Sequence, residues 1–217
     1  MKKVLIVVAH PDDEAYGCGG TLFRFRKEWL TNLCIFTDGG NVNVDKTKEC
    51  VKESSKILEI EHTNYLEWNI DQRLEILPIK SLVDEIDKMI DTFAPELVIT
   101  HSLTDLNRDH RIVAEAVMIS TRPKPEFPVK EVWSMEVLSA TDWGFGEFGN
   151  FEPNGFVSLS TIELARKCAA IESYLLEIEK DEDHARSVPS IITSGQNRGH
   201  TVGIPYAEAF KIIRKII

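Results

Sequence analysis

Short apolar runs that do not alternate, each followed by an amphipathic or polar stretch, recur along this chain, and that rhythm leaves few folds open to it. A strand buried on both faces is apolar at every position, whereas a strand with one wet face alternates. Val4 to Ala9 is such a continuous run, and Thr21 to Leu30 after it has helical character. Asn32 to Phe36 is a second strand, ended by Thr37-Asp38-Gly39-Gly40. Asp45 to Ile60 sets Val51, Ile57, Leu58 and Ile60 among charges, as an amphipathic helix does. Thr63 to Trp68 is a third strand, followed by the polar loop Asn69 to Glu75. Pro78 then opens a helix whose Ile79, Leu82, Val83, Ile86, Met89, Ile90 and Phe93 repeat at helical spacing, and Pro95 ends it.

Leu97 to Thr100 is a fourth strand, and the loop His101 to Arg108 leads into a helix from Asp109 to Ser120. Val129 to Leu138 follows as a fifth strand. Thr141 to Gly155 is an aromatic, Gly-containing loop, Phe156 to Leu159 a further strand, and Thr161 to Lys180 a helix. The Ser/Gly-rich stretch Ser187 to Gly203 is expected to be looped, and Ala207 to Ile217 helical. Strands alternating with helices predict a Rossmann-like α/β fold: a mostly parallel sheet, order about 3-2-1-4-5, with helices on both faces. At 217 residues and 43% hydrophobic, residues 1–217 are expected to form a single domain.

The chemistry gathers where the first strand stops. Pro11 ends the run, and His10, Asp12, Asp13 and Glu14 crowd its carboxyl end. Carboxylates that close repel one another unless a cation sits among them. In a doubly wound sheet ligands bind outside the carboxyl ends of the strands, where the strand order reverses. With order 3-2-1-4-5 the reversal lies between strands one and four, so the loop before Asp109-His110 reaches the same crevice as His10 to Asp13.

Ala9 to Glu14 reads AHPDDE, which resembles the zinc-dependent N-deacetylases of the LmbE/PIG-L type. Asp109-His110-Arg111 matches a second element of that family, and Thr37-Asp38-Gly39, Asp71-Gln72-Arg73-Leu74 and Tyr206 to Phe210 are weaker echoes. The resemblance implies hydrolysis of the amide of an N-acetylated sugar or a related N-acyl small molecule, with Zn2+ as cofactor. It gives the metal to His10, Asp13 and His110, two imidazoles and one carboxylate that suit zinc. It makes Asp12 the general base on the attacking water.

The chain departs from the family at Asn107, where many members carry a histidine that helps with the oxyanion or the leaving amine. An amide can donate a hydrogen bond but cannot deliver a proton. Asn107 and His101, at the end of strand four, are therefore the further catalytic candidates. Arg73, Asn41, Trp143 and Arg198 are candidates for substrate binding. Blander roles are expected for Glu14 (a first-turn acid), Asp109 (an orienting or capping carboxylate), and His62 and His184 (exposed).

Composition narrows the field further. A net charge of −10 without a basic block argues against nucleic acid and anionic membranes. Cys18, Cys34, Cys50 and Cys168 lack C-x-x-C spacing and are expected to be small buried hydrophobes. The apolar run after Lys2 and Lys3 is too short for a signal peptide, and no stretch spans a membrane, so a cytoplasmic protein is expected. The expected partner is a small-molecule N-acetyl sugar or glycoconjugate; homo-oligomerisation is left open. Two alternatives stand beside the deacetylase. One is a Rossmann-like nucleotide-binding module, prompted by Gly17-Cys18-Gly19-Gly20, with no Walker lysine after it. The other is a magnesium-dependent phosphoester hydrolase, against which two imidazoles argue.

Overall fold

The computed structural model describes residues 1–40, 43–68, 73–125, 127–174 and 183–217. In chain order the main elements are β1 (Lys2–Val8), α1 (Asp13–Phe25), β2 (Trp29–Thr37), α2 (Val44–Leu58), β3 (His62–Trp68) and α3 (Ile79–Phe93). There follow β4 (Leu97–Thr100), α4 (Arg108–Ser120), β5 (Glu131–Met135), β6 (Gly155–Ser158), α5 (Thr161–Glu172), α6 (Val188–Thr201) and β7 (Ala207–Lys215). The sheet order is β3-β2-β1-β4-β5-β7-β6. Its first five strands are parallel, in the order read from the sequence. β7 and β6 extend it as antiparallel strands.

Strand β1 shows why its sequence does not alternate. Val4, Ile6 and Val8 enter one core, which also holds residues of α1, α2 and α5. Leu5, Val7 and Ala9 enter the other, beneath α3 and α4. All six are fully buried.

Two stretches fold otherwise than expected. Ser187–Gly203 is not a loop: Val188–Thr201 is helix α6, with Ser187 as N-cap accepting from the Ser190 N–H and Pro189 in the first turn. Serine and proline are helix-start residues as much as loop residues. Gly199 serves packing, since a Cβ there would lie 2.6 Å from the Ile204 carbonyl oxygen as the chain doubles back. Ala207–Ile217 is not a helix but strand β7, wedged between β5 and β6. Alanine, glutamate and lysine favour helices weakly, and pairing along an otherwise open edge of β5 outweighs that preference.

Boundaries shift as well. Helix α1 spans Asp13–Phe25, so Trp29 and Leu30 belong to β2. Helix α5 starts at a Ser160–Glu163 capping box and ends at Glu172; residues 175–180 of the expected helix lie outside the described residues. The glycines of α1 form no phosphate cradle. A Cβ on Gly17 would sit 2.3 Å from the Met135 sulfur, and one on Gly20 2.5 Å from Leu159 Cδ1. They let the helix lie close on the sheet and α5, which removes the feature that suggested nucleotide binding.

Candidate metal and catalytic site

The site begins with a strained turn. Asp12 has φ 100° and ψ −27°, a conformation that costs a non-glycine residue of order 1–3 kcal/mol. The turn is tied down from both sides: the His10 N–H donates to Asp13 Oδ2 at 2.8 Å, and the Tyr16 N–H donates to the Asp12 carbonyl at 3.0 Å. Asp13 consequently points inward, 1% exposed, while Asp12 stays partly open.

From β4 and α4 comes the second half. Asn107 caps α4, its Oδ1 accepting from the Asp109 N–H at 2.9 Å and the His110 N–H at 3.5 Å. That cap orients the first helical turn, which carries Asp109 and His110 toward β1. His10 Nδ1 lies 3.1 Å from His110 Nε2 and 3.3 Å from Asp13 Oδ2, and His110 Nε2 lies 3.2 Å from Asp13 Oδ1. The far nitrogens are each held by a carboxylate: His10 Nε2 by Asp109 Oδ2 at 3.3 Å, His110 Nδ1 by Asp105 Oδ2 at 3.0 Å. Asp109 Oδ1 in turn accepts from the Leu74 N–H at 3.0 Å.

These partners decide where the protons are. A carboxylate only accepts, so the far nitrogens carry hydrogen and the facing nitrogens present lone pairs. Three buried acceptor groups therefore face one another, an arrangement that could hold a metal ion. In the metal-free chain a proton fills the role. Burial lowers the His110 pKa, but Asp13 and Asp105 outweigh it and hold it at about 10. His10 is likewise raised, against the effect of burial, by Asp109 and Asp13. Asp13 is held well below the usual carboxylate range, His110 and His101 overcoming its burial.

The sign of the pH dependence follows. The folded His110 pKa exceeds its ordinary 6.5, so its contribution to metal-free stability is full below that value and is lost as pH rises toward about 10. A divalent ion must displace this proton, so metal affinity should climb across the same window, by up to about tenfold per pH unit. Chelator-competition titrations between about pH 6.5 and 8.5 would show the rise. A flat profile would mean that His110 takes no part.

Ala9, at the end of β1, donates its N–H to His101 Nε2 at 2.9 Å, and the His101 ring stacks on His110 with centroids 3.9 Å apart. Burial, helped by the nearby His110, lowers the His101 pKa to about 4. A neutral ring with Nε2 committed to the backbone has no proton to give there. The ring packs against His110, and its buried Nδ1 has no hydrogen-bond partner. His101, Asp105 and His110 also lie close enough to hold an ion. In this second group Asp105 Oδ2 and His110 Nδ1 already pair with each other, whereas His10 Nδ1, His110 Nε2 and the Asp13 carboxylate face one another.

Asn107 uses its carbonyl as a cap, which leaves its NH2 as the donor expected from the sequence. Asn107→Ala should cost about 1 kcal/mol of stability, the usual loss for such a cap, read as a fall in the denaturation midpoint. An unchanged midpoint would refute the capping role.

Asp12 is not one of the three converging groups; its Oδ2 lies 3.0 Å from the Arg186 NH2. The guanidinium rests on the Tyr16 ring at 4.2 Å, and the Tyr16 hydroxyl donates to the Arg186 carbonyl at 3.0 Å. His184, expected to be exposed, is half-buried, with Nδ1 accepting from the Arg186 N–H. Glu14 is a first-turn acid of α1, as expected, but it is enclosed. It is fully buried, accepts from Ser54 at 2.8 Å and Tyr174 at 2.9 Å, and burial lifts its pKa to about 7.

The substrate-binding candidates scatter. Arg73 is exposed just before a 3-10 turn (Leu74–Ile76) that follows undescribed residues, and Asn41 and Asp71-Gln72 lie outside the described residues. Trp143 is 49% exposed. Arg198 is engaged with both carboxylate oxygens of Glu136, Nε to Oε1 at 2.8 Å. Sequence reasoning missed Asp105 and Arg186. Five residues before His110 in a loop, Asp105 was open to discovery, since a metal-type histidine needs an acceptor behind it. Arg186 carried no signal at all.

Comparison with known proteins places this geometry in company. The PIG-L family profile, described as GlcNAc-PI de-N-acetylase, matches residues 5–120, more than half of the 217-residue chain. "Probable N-acetyl-alpha-D-glucosaminyl L-malate deacetylase 2" of Bacillus cereus is 27% identical over 146 residues, covering 59% of this chain and 66% of that protein, just short of two thirds of its length. The N,N'-diacetylchitobiose deacetylase of Pyrococcus horikoshii superposes with TM-score 0.76 at 19% identity, over 98% of this chain and 84% of the other. GalB, the 4-carboxy-2-hydroxymuconate hydratase of Pseudomonas putida, superposes with TM-score 0.74 at 19% identity, over 100% and 98%. One fold thus houses a deacetylase and a hydratase, so the fold by itself does not choose the reaction.

Proposed function

This chain belongs to the PIG-L family, and on that premise we propose that it is a zinc-dependent deacetylase acting on an N-acetylated sugar or a related N-acyl small molecule. The observation that carries this is the convergence of His10 Nδ1, His110 Nε2 and the Asp13 carboxylate at 3.1–3.3 Å, with a carboxylate behind each imidazole. Bonds of about 2.0–2.1 Å at tetrahedral angles set neighbouring ligand atoms roughly 3.3–3.4 Å apart, so the donor set fits zinc. Two imidazoles favour it over magnesium, which disfavours the phosphoester alternative. When bound, zinc supplies Lewis acidity, polarising the amide carbonyl and lowering the pKa of water.

The chain's own residues supply the rest. Asp12 takes a proton from the attacking water as general base, and Arg186 holds its carboxylate in place. Since His101 is neutral and Asn107 cannot transfer a proton, Asp12 also returns the proton to the leaving nitrogen. The products are acetate and a free amine. Trp143 offers an exposed aromatic face on which a sugar ring stacks, and Arg73 an exposed cation for a polar substituent. Among the described residues no helix is long and apolar enough to cross a membrane.

The test is acetate release from a panel of N-acetylglucosamine derivatives by zinc-loaded and chelator-stripped protein. Activity that depends on zinc supports the proposal. Zinc binding without acetate release from any of them would refute the sugar class, and failure to bind zinc would refute the site.

A further inference from the structure

Asp105 is pinned by more than His110. Its Oδ1 accepts from the Asn107 N–H at 2.8 Å, and its Oδ2 accepts from His110 Nδ1 at 3.0 Å and from the Thr141 hydroxyl at 3.1 Å. Thr141 Oγ1 also meets the Val137 N–H, at 2.9 Å. Asp105 is fully buried and Thr141 nearly so.

The directions in this chain are not free. A backbone N–H can only donate, so Thr141 Oγ1 accepts from Val137 and its single hydroxyl hydrogen is left for Asp105. Asp105, as a carboxylate, accepts that hydrogen and the one on His110 Nδ1. When a metal displaces the proton His110 otherwise holds, Nε2 then presents its lone pair toward the space it shares with His10 and Asp13. Each link polarises the next in the same sense.

We propose that Thr141 is a positioning residue for the metal. Through Asp105 it fixes the ring tautomer and orientation of His110, and with them the affinity of the site. The proposal rests on the zinc assignment above. Thr141 lies thirty-one positions after His110 (141 − 110), outside the family motifs quoted from the sequence. It belongs to the segment joining β5 to β6, whose exposed aromatic residues Trp143, Phe145 and Phe148 follow it. That segment is further tied to the His110 loop by the Leu106 N–H, which donates to the Ala140 carbonyl at 2.9 Å.

The test measures zinc affinity by chelator competition and the visible spectrum of the cobalt-substituted protein, neither of which needs a substrate. Thr141→Val keeps the shape and removes the hydroxyl; it should weaken zinc roughly 10- to 100-fold, as loss of a partner behind a metal ligand does, and shift the cobalt bands. Thr141→Ser should restore both. Asp142→Ala is the control for simple loosening of the segment. It removes the acceptor of the Ser139 N–H without touching Asp105, and should lower thermal stability while leaving zinc affinity as in the wild type. In an Asp105→Asn background Thr141→Val should add little, because the two act along one line.

Wild-type zinc affinity and cobalt spectrum in Thr141→Val would overturn the proposal. So would an Asp142→Ala variant that weakens zinc as much. If the valine variant does not fold, Thr141→Ala reads the same affinity. A wild-type protein that binds no zinc would instead overturn the site assignment, a separate and recognisable failure.

Discussion

Asp12→Asn should keep its zinc and lose roughly two to four orders of magnitude in turnover, the range for a missing general base. The carboxamide matches the carboxylate in shape but cannot take a proton from water. The expectation comes from opposite orientations of neighbours: Asp13 points into the converging imidazoles, while Asp12 faces Arg186 at 3.0 Å. Zinc content measured beside acetate release separates the two residues. If Asp12→Asn loses metal while Asp13→Asn keeps metal and loses turnover, their roles are the reverse of those proposed. Arg186→Gln should produce a smaller fall in turnover with zinc unchanged, since it leaves the base present but less firmly held.

His10→Ala, Asp13→Ala and His110→Ala should each abolish tight zinc binding, because each removes one of three protein donors and leaves two. The metal-free enzyme should then show no zinc-dependent acetate release. Asp13→Ala should also destabilise the turn, since the His10 N–H loses its acceptor. Asp13→Asn is the cleaner probe of charge. Asp105→Asn and Asp109→Asn stand one step back and should weaken zinc by about 10- to 100-fold without abolishing it. Full zinc occupancy in all three alanine variants, by elemental analysis of purified protein, would end the assignment.

The physical difference between these two groups of residues is also the difference between what was legible in the sequence and what was not. Strand β1 could be read because burial on both faces leaves a run with no polar position, and Leu5 and Ile6 feed separate cores. The order 3-2-1-4-5 could be read because right-handed crossovers and short connections allow few others. Strand β7 could not: its residues suit a helix when considered alone, and only the unpaired edge of β5 makes them a strand. Helix α6 was hidden for the opposite reason, its serines and glycines resembling a loop until Ser187 is seen to cap it and Gly199 to clear Ile204.

Within the site, His10, Asp12 and Asp13 lie within one turn of chain, so local geometry forces adjacent side chains apart, and the resemblance to the family says which does what. The strand reversal brings His110 to the same crevice from a hundred residues away. The sequence by itself thus determined the fold class, the crevice and the candidate donors. Hydrogen-bond partners were decided only in three dimensions. Asp105 stands behind His110; Asn107 spends its carbonyl on a helix cap; and His101 Nε2 accepts from the Ala9 N–H. Arg186 reaches Asp12 across 174 positions. Periodicity and motif spacing report what a residue does with its chain neighbours. A buried donor or acceptor is satisfied by whatever the packed fold brings within about 3 Å, and no local pattern records that.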